Sequence, residues 1–236
     1  MKMGVAQVRA IRGDIKANLN VHLRWMEKAA TIGTELLIFP ELSLTGYEPT
    51  LASALAIDLH DARLDLIQAF CDQHGMSVGA GAPIRTGPGI GIGMIMFHPH
   101  QPRWVYTKKY LHADEEPFFV PGHNERETFY EYPRMAPAIC YELSVPAHRQ
   151  RAVQLGADVY LVSVAKTRPG MATATEMLTS FAREHRIWVL VANAVGEAHG
   201  MTCGGCSCAI DQSGRVHARF NELEEDILAL TVPPNR

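Results

Sequence analysis

The sequence has no long hydrophobic run, since no apolar stretch approaches the roughly 20 residues that a membrane-spanning helix needs. The first ten residues enter a strand-like pattern directly and show none of the apolar region of a secretory signal peptide. We therefore expect a soluble, cytoplasmic protein with no membrane partner.

An excess of basic charge is also missing. The 236 residues include 22 Lys and Arg against 25 Asp and Glu, which gives a formal net charge of −3. Broad affinity for nucleic acid requires a clustered basic surface that neutralises phosphates. We therefore expect no nucleic-acid partner.

Cysteines are few, and their number, five, is odd. That count argues against a secreted disulfide framework, so free thiols are expected. Cys203, Cys206 and Cys208, with His199 nearby, look like part of a metal site, but a structural zinc needs four ligands and no second half follows. Cys206 and Cys208 also alternate along a predicted strand, where small thiols fill a core. We predict no metal and no cofactor.

Strand-like and helical patterns alternate along the chain, which predicts an α/β fold. With 47% hydrophobic residues and no visible linker, residues 1–236 are predicted to form a single domain. The turn at Gly87-Pro88-Gly89 indicates a hairpin, and the irregular stretch Leu111–Glu131 indicates a functional loop. The predicted strands are Met3–Val8, Leu36–Phe39, Val78–Pro83, Ile92–Phe97, Trp104–Lys108, Met135–Ile139, Val159–Val164, Trp188–Asn193, Ser207–Ile210 and Ile227–Val232. The predicted helices lie between Asp14 and Gly33, over Asp58–His74, from Ser144 to Gly156 and over Thr173–Arg186.

Cys140 stands where an apolar strand gives way to a helix. Such a junction exposes the side chain, and the N–H groups of the following turn point towards the group it attacks. A helix N-terminus also favours the reactive thiolate. The alternative is a buried core thiol, which is what most free cysteines are.

Two further stretches favour the nucleophile. The apolar strand before Glu41 delivers a carboxylate to its carboxyl end, where the sites of α/β proteins lie. Lys108, at the end of another strand, can supply positive charge to a developing oxyanion. Lys109 would point to the opposite face of that strand, and two solvated surface lysines are the alternative.

Together these stretches resemble the nitrilase superfamily, the carbon–nitrogen hydrolases, over nearly the whole chain. The resemblance includes Lys108 with Leu111 three places later, which favours Lys108 over Lys109. The other matching positions are Gly13-Asp14, Asn18, Gly33, Phe39 to Tyr47, Glu115, Phe118, Phe119, Pro121, Gly122, Cys140-Tyr141-Glu142, Ala182, Glu184, Asn193, Gly196, Gly205, Ser207, Asp211 and Gly214.

The resemblance implies a four-layer α-β-β-α sandwich and an amidase-type hydrolase with a Glu-Lys-Cys triad. Cys140 is then the nucleophile that forms a thioester, and Glu41 is the general base. Lys108 stabilises the oxyanion together with the backbone N–H of Tyr141, and Glu115 orients Lys108 and the substrate. The family also commonly forms dimers through the helices that flank the cysteine, so a homodimer is expected.

The substrate is expected to be a small amide or carbamoyl compound, and the sequence does not name it. Residues predicted to line its pocket include Tyr47, Tyr141, Glu142 and Lys166. Glu142 and Lys166 can recognise a charged substrate group, or each can simply be paired or solvated. The stretch that ends at Lys166 departs from the family, which frequently has an aromatic residue after this strand.

Alternatives remain open at this point. The same thiol attacks nitriles, an amine instead of water can accept the acyl group, and a non-catalytic member can bind a ligand in the same cleft. A cysteine protease pair with His148 is disfavoured, because eight helical residues separate it from Cys140 by about 12 Å. An exposed helical histidine is the better interpretation of His148.

Overall fold

The computed structural model describes residues 1–87 and 89–233, and within them the strands form a six-stranded sheet, a five-stranded sheet and a two-stranded hairpin. The strands are β1 (Lys2–Gln7), β2 (Leu36–Ile38), β3 (Ser77–Thr86), β4 (Gly89–Phe97), β5 (Trp104–Thr107), β6 (Met135–Ile139), β7 (Val159–Val164), β8 (Trp188–Asn193), β9 (Val195–Ala198), β10 (Met201–Gly204), β11 (Cys208–Ile210), β12 (Val216–Arg219) and β13 (Asp226–Thr231). The helices are α1 (Ile15–Thr31), α2 (Ala52–Leu55), α3 (Asp65–His74), α4 (Pro146–Gln154) and α5 (Arg168–His185).

The first sheet has the order β13-β1-β2-β3-β4-β5, and the second has the order β12-β11-β8-β7-β6. Strands β1, β2 and β3 are parallel, as are β6, β7 and β8, whereas the outer strands join antiparallel. The hairpin β9–β10 stands apart from both sheets. The first sheet therefore has a parallel centre with antiparallel margins, whereas the second is parallel from β8 to its edge strand β6 and antiparallel only at its other margin.

Three apolar cores separate the layers. Residues of both sheets, such as Leu36 and Ile38 of β2 and Leu161 of β7, meet in a central core. The intervening side chain, Leu37, points outward to a second core beneath α1 and α3, because successive strand residues face opposite sides. Tyr160 of β7 points in the same way to a third core beneath α4 and α5. Helices, sheet, sheet and helices thus form the predicted four-layer α-β-β-α sandwich.

The caps at two helix starts show how local sequence sets the element boundaries. The Asp14 carboxylate accepts from the N–H of Ala17 at 2.9 Å, as predicted for the start of α1. Thr167 caps α5 by accepting from the N–H of Gly170 at 3.3 Å. The predicted start of this helix at Thr173 is wrong, because the residues Pro169 and Gly170, usually helix breakers, are tolerated in a first turn.

Other predicted boundaries also shift. Residues 58–61 are not helical, and a 3₁₀ turn over Ala62–Leu64 leads into α3. Ser144 does not cap α4: it ends a 3₁₀ turn over Cys140–Ser144, and Val145 precedes the helix. The hairpin of β3 and β4 is confirmed by their antiparallel pairing up to Thr86 and Gly89, while Pro88 lies outside the described residues. Strands β9, β10 and β12 were not predicted.

Over the described residues, no helix combines the length and the apolar character needed to cross a bilayer.

Candidate active site

Three strand ends meet where the two sheets face each other. Glu41 follows β2 and Lys108 follows β5, which runs in the same direction as β2 because two antiparallel steps separate β3 from β5. Cys140 follows β6 of the second sheet. The carboxyl ends of strands from both sheets thus bring a carboxylate, an ammonium and a thiol to one edge of the sandwich.

The Lys108 ammonium lies between two carboxylates. It donates to Glu41 Oε1 at 2.8 Å and to Glu115 Oε1 at 2.7 Å, and all three side chains are buried. The Tyr47 hydroxyl also donates to Glu115 Oε1, at 3.1 Å, and the N–H of His112 donates to Glu115 Oε2 at 2.8 Å. Glu115 is therefore fixed by three donors, and it fixes Lys108 in turn.

Electrostatics keep Lys108 charged. Burial by itself would lower its pKa, but Glu41, Cys140 and Glu115 outweigh burial and raise the pKa above the ordinary lysine value. Burial raises the pKa of Glu41, and Lys108 opposes that change while Glu115 adds to it. Glu41 is thus a carboxylate with a raised affinity for a proton, as a general base requires.

Cys140 begins the 3₁₀ turn with a positive φ of 44°, an unusual backbone conformation for a non-glycine residue. Burial and the Glu41 charge raise the pKa of its thiol to about 12, whereas Lys108 and Lys166 lower it. The thiol interacts with the Glu41 carboxylate and lowers the pKa of that carboxyl. Among the described residues, Glu41 Oε2 has no partner with full hydrogen-bond geometry. A buried acceptor is therefore available for the thiol proton.

The backbone beside Glu41 is packed tightly against β3. A Cβ placed on Gly81 would lie 2.3 Å from the amide nitrogen of Leu42 and 2.7 Å from the carbonyl oxygen of Pro40. The Ser43 hydroxyl accepts from the N–H of Gly81 at 3.1 Å, which ties the same loop to the strand. Glycine at position 81 thus allows the approach that positions Glu41.

A cavity of about 320 Å³ lies over the thiol. Tyr47, Tyr141 and Lys166, all predicted to line the substrate pocket, are among its walls. Glu115 and Cys140 also border it. A larger groove of about 580 Å³ lies between the outer surfaces of α4 and α5, but it contains none of these residues.

Glu142 is placed away from this cavity, so its predicted contact with substrate is corrected. It is fully buried and accepts from the N–H of Ile139 at 2.8 Å, from the N–H of Lys109 at 2.6 Å and from the Tyr106 hydroxyl at 3.0 Å. Burial raises the pKa of Glu142 to about 7, although these donors oppose the change. The carboxyl group links the backbone next to Cys140 with the backbone next to Lys108.

His148 is buried, so its interpretation as an exposed helical residue was wrong. Its Nε2 lies 2.8 Å from the Tyr106 hydroxyl and its Nδ1 lies 2.8 Å from the Tyr160 hydroxyl. Burial lowers the pKa of His148 to about 4, so the ring is neutral at neutral pH. Together with Glu142 it forms a buried polar cluster that the sequence pattern did not reveal.

Asn193 holds the segment after β7 in place. Its Oδ1 accepts from the N–H of Lys166 at 2.9 Å, and its Nδ2 donates to the Lys166 carbonyl at 3.0 Å and to the Gly205 carbonyl at 2.7 Å. Asn193 is among the positions that match the family, but no role in the site was predicted for it.

The remaining cysteines do not form a ligand cluster. Cys203 and Cys208 are buried, and Cys206 has a positive φ of 56° just before β11, which therefore starts one residue later than predicted. In the described part of the chain, His, Cys, Asp and Glu form no group of three or more that could hold a metal ion.

Comparisons with known proteins match residues 2–236 to the family model described as carbon–nitrogen hydrolase. An (R)-stereoselective amidase from a Pseudomonas species is 28% identical over 221 residues, covering 92% of this chain and 79% of that protein. A glutamine-dependent NAD(+) synthetase from Thermotoga maritima is 22% identical over 98% of this chain, which spans 42% of the synthetase.

Solved structures agree with the observed architecture. The amidase from Nesterenkonia sp. AN1 has a TM-score of 0.89 at 23% identity, with 99% of this chain and 93% of that chain covered. A variant of that amidase contains acrylamide added at its active-site cysteine, and it is 22% identical with the same TM-score of 0.89. The fold is shared, and the match of the family model spans nearly the whole sequence. The chain therefore belongs to the carbon–nitrogen hydrolase family, as its resemblance to the nitrilase superfamily predicted.

Proposed function

We propose that this carbon–nitrogen hydrolase cleaves a small amide or carbamoyl compound through a thioester on Cys140. The observation that supports this most strongly is the buried Lys108 ammonium, held by Glu41 and Glu115 next to the thiol. Burying a charged group costs free energy, so a buried ammonium near the thiol supports a catalytic role, the stabilisation of a developing oxyanion. The amidases among its relatives favour an amide over a nitrile.

Acylation begins with a neutral thiol, because the Cys140 pKa is about 12. The sulfur attacks the carbonyl carbon while the thiol proton passes to Glu41, so the thiolate forms only during attack. The carbonyl oxygen becomes an oxyanion, which the Lys108 ammonium stabilises. The N–H of Tyr141 in the first turn of the 3₁₀ helix, where N–H groups have no partner within the turn, is the second donor. The C–N bond then breaks, and the leaving nitrogen takes the proton from Glu41.

Deacylation follows the same steps with water as the nucleophile. Glu41 takes a proton from water as its oxygen attacks the thioester carbonyl carbon. The tetrahedral intermediate collapses by breaking the C–S bond, and the sulfur recovers its proton from Glu41. The carboxylic acid leaves, and Glu115 holds Lys108 in place throughout, with Tyr47 and the His112 N–H as its own anchors.

Ammonia release tests this function directly. We expect ammonia from at least one member of a panel of aliphatic amides, monoamides of dicarboxylic acids and N-carbamoyl compounds, and no ammonia with a Cys140→Ala variant. Acid quenching during turnover should leave an acyl group on the peptide that contains Cys140, visible by mass spectrometry. A panel that includes nitriles and yields neither ammonia nor adduct would contradict the proposal, whereas turnover of nitriles alone would favour the nitrilase alternative.

We further propose a homodimer acting in the cytoplasm, with residues 1–236 as one catalytic domain. The groove between α4 and α5, which includes Met177 and Phe181, supports pairing through this face. All five cysteines are free, as is usual in a reducing compartment. Light scattering should give twice the monomer mass, and a monomeric mass at assay concentrations would contradict the dimer.

A further inference from the structure

One cation at the cavity, Lys166, has no counterion among the residues that the structure describes. Lys166 follows β7, lines the cavity over the thiol and is close enough to lower the pKa of Cys140. Its backbone is fixed by Asn193 and by the N–H of Gly204, which donates to its carbonyl at 2.9 Å. Throughout residues 1–87 and 89–233, no carboxylate pairs with its ammonium. The backbone is thus held firmly while the charge remains available.

Its surroundings distinguish Lys166 from the neighbouring cation. The Arg168 guanidinium pairs with Glu222 at 2.7 Å, so its charge is already compensated. The Lys166 stem instead lies along the first turn of α5, where a Cβ on Gly170 would be 3.7 Å from Lys166 Cβ and 3.9 Å from Lys166 Cδ. Gly170 lines the same cavity.

The charges at the cavity are arranged asymmetrically. Glu115 and Asp114 border it: both oxygens of Glu115 are occupied by donors, and the largely exposed Asp114 carboxylate lies 3.4 Å from His112 Nδ1. Lys166 and the N-terminal end of the 18-residue helix α5 both contribute positive charge at another part of the wall. A substrate carboxylate there would supply the counterion that no described residue provides.

We propose that Lys166 binds a carboxylate of the substrate, so that the preferred substrates are monoamides of short dicarboxylic acids. This rests on the proposed amidase function and specifies its substrate class. A cavity of about 320 Å³ suits a small molecule with the amide carbonyl at Cys140 and the anion at Lys166.

A matched pair of substrates tests the proposal. Succinamate and butyramide share a chain length, and the first has a carboxylate where the second has a methyl group. We expect the wild type to prefer succinamate in kcat/KM by about 10- to 100-fold, the range for a charge-assisted hydrogen bond. Lys166→Met should lower kcat/KM for succinamate about 10- to 100-fold more than for butyramide, so that most of this preference is lost. Arg168→Met, which removes the neighbouring paired cation, should keep the preference.

Two outcomes would overturn the proposal. Equal losses on both substrates would mean that Lys166 acts on the thiol, and a wild type without preference would mean that no carboxylate is bound. Calorimetry with a Cys140→Ala variant separates these outcomes from failure of the amidase function, because it needs no turnover. Succinamate binding that is lost on adding Lys166→Met supports the carboxylate site even if no amide is hydrolysed. The proposal is refuted if succinamate does not bind, or if it binds equally well with and without Lys166→Met.

Discussion

A Lys108→Met variant is expected to lose at least about 10²- to 10³-fold in kcat, the usual cost of removing one oxyanion donor. Methionine keeps much of the volume of the lysine stem but removes the charge. The variant should therefore fill the same buried space between Glu41 and Glu115 without stabilising the tetrahedral intermediate. Steady-state ammonia release under saturating amide measures the effect.

The loss should exceed that of a single donor because the variant also changes the base. Lys108 lowers the pKa of Glu41, against the effects of burial and of Glu115. Without the ammonium, the Glu41 pKa rises further, and more of the carboxyl group is protonated at neutral pH. A protonated Glu41 cannot accept the thiol proton. Two steps of the mechanism are thus impaired by one substitution.

Lys109→Met is the matched control. Its ammonium pairs with Glu127, which does not border the cavity, and the pair is partly exposed. Exposed pairs contribute about 0–1 kcal/mol, so stability and turnover should change little. Thermal melting of both variants separates misfolding from lost chemistry, because removing one partner of a buried ion pair is itself destabilising. Substantial activity in a folded Lys108→Met variant, or inactivity of Lys109→Met alone, would contradict the assignment.

The sequence predicts the central strands well because both of their faces are buried. The mainly apolar segments Val159–Val164 and Trp188–Asn193 match β7 and β8 residue for residue. A strand covered on both sides has only apolar neighbours, so its pattern is local and unambiguous. The same reasoning places Cys140 at the end of β6, where the structure has it.

Prediction fails where partners from distant parts of the chain decide the environment. The sequence pattern predicts that Glu142 and His148 are polar residues of a turn and a helix. Both are buried, and each forms a hydrogen bond with the hydroxyl of Tyr106, which lies 36 positions before Glu142. No local pattern indicates such a pairing. Strand β12 is missed for a different reason: it is only four residues long and lies at the edge of its sheet, where alternate residues are exposed.

The motifs that carry the proposed catalytic residues are predictable only in part. Residue order along the chain identifies Glu41, Lys108 and Glu115 as family positions, but spacing alone cannot show that one ammonium is shared by both carboxylates. That arrangement requires β2 and β5 of one sheet together with the loop after Lys108. The structure thus adds the geometry on which the proposed proton transfer depends.

A Glu41→Gln variant is expected to lose about 10²- to 10⁴-fold in turnover, the usual contribution of general base catalysis. Glutamine keeps the size of the side chain but cannot accept the thiol proton in the acylation step. It also cannot activate water, so any thioester that forms should be hydrolysed slowly. Mass spectrometry after mixing with amide should therefore show more acylated Cys140 per turnover than in the wild type.

The pH dependence of this variant gives a sharper signature. In the wild type, burial and the Glu41 charge raise the thiol pKa to about 12, so the thiol is neutral, and in the proposed mechanism the rate depends on proton transfer to Glu41. In the variant the Glu41 charge is gone while Lys108 and Lys166 still lower the thiol pKa. That pKa should fall, and acylation should require the thiolate. Its rate should then rise about tenfold per pH unit below the new thiol pKa, whereas wild-type activity should show no such rise near neutral pH.

The Glu48→Gln variant is the control for this experiment. Glu48 is another buried carboxylate, and it pairs with Arg12 at 3.2 Å and accepts from the N–H of His199 at 3.1 Å. The same isosteric change at that position removes a buried negative charge without removing the acceptor next to the thiol. It should keep most of the turnover and the wild-type pH profile. If Glu41→Gln shows that same profile and comparable turnover, a group other than Glu41 takes the proton from Cys140.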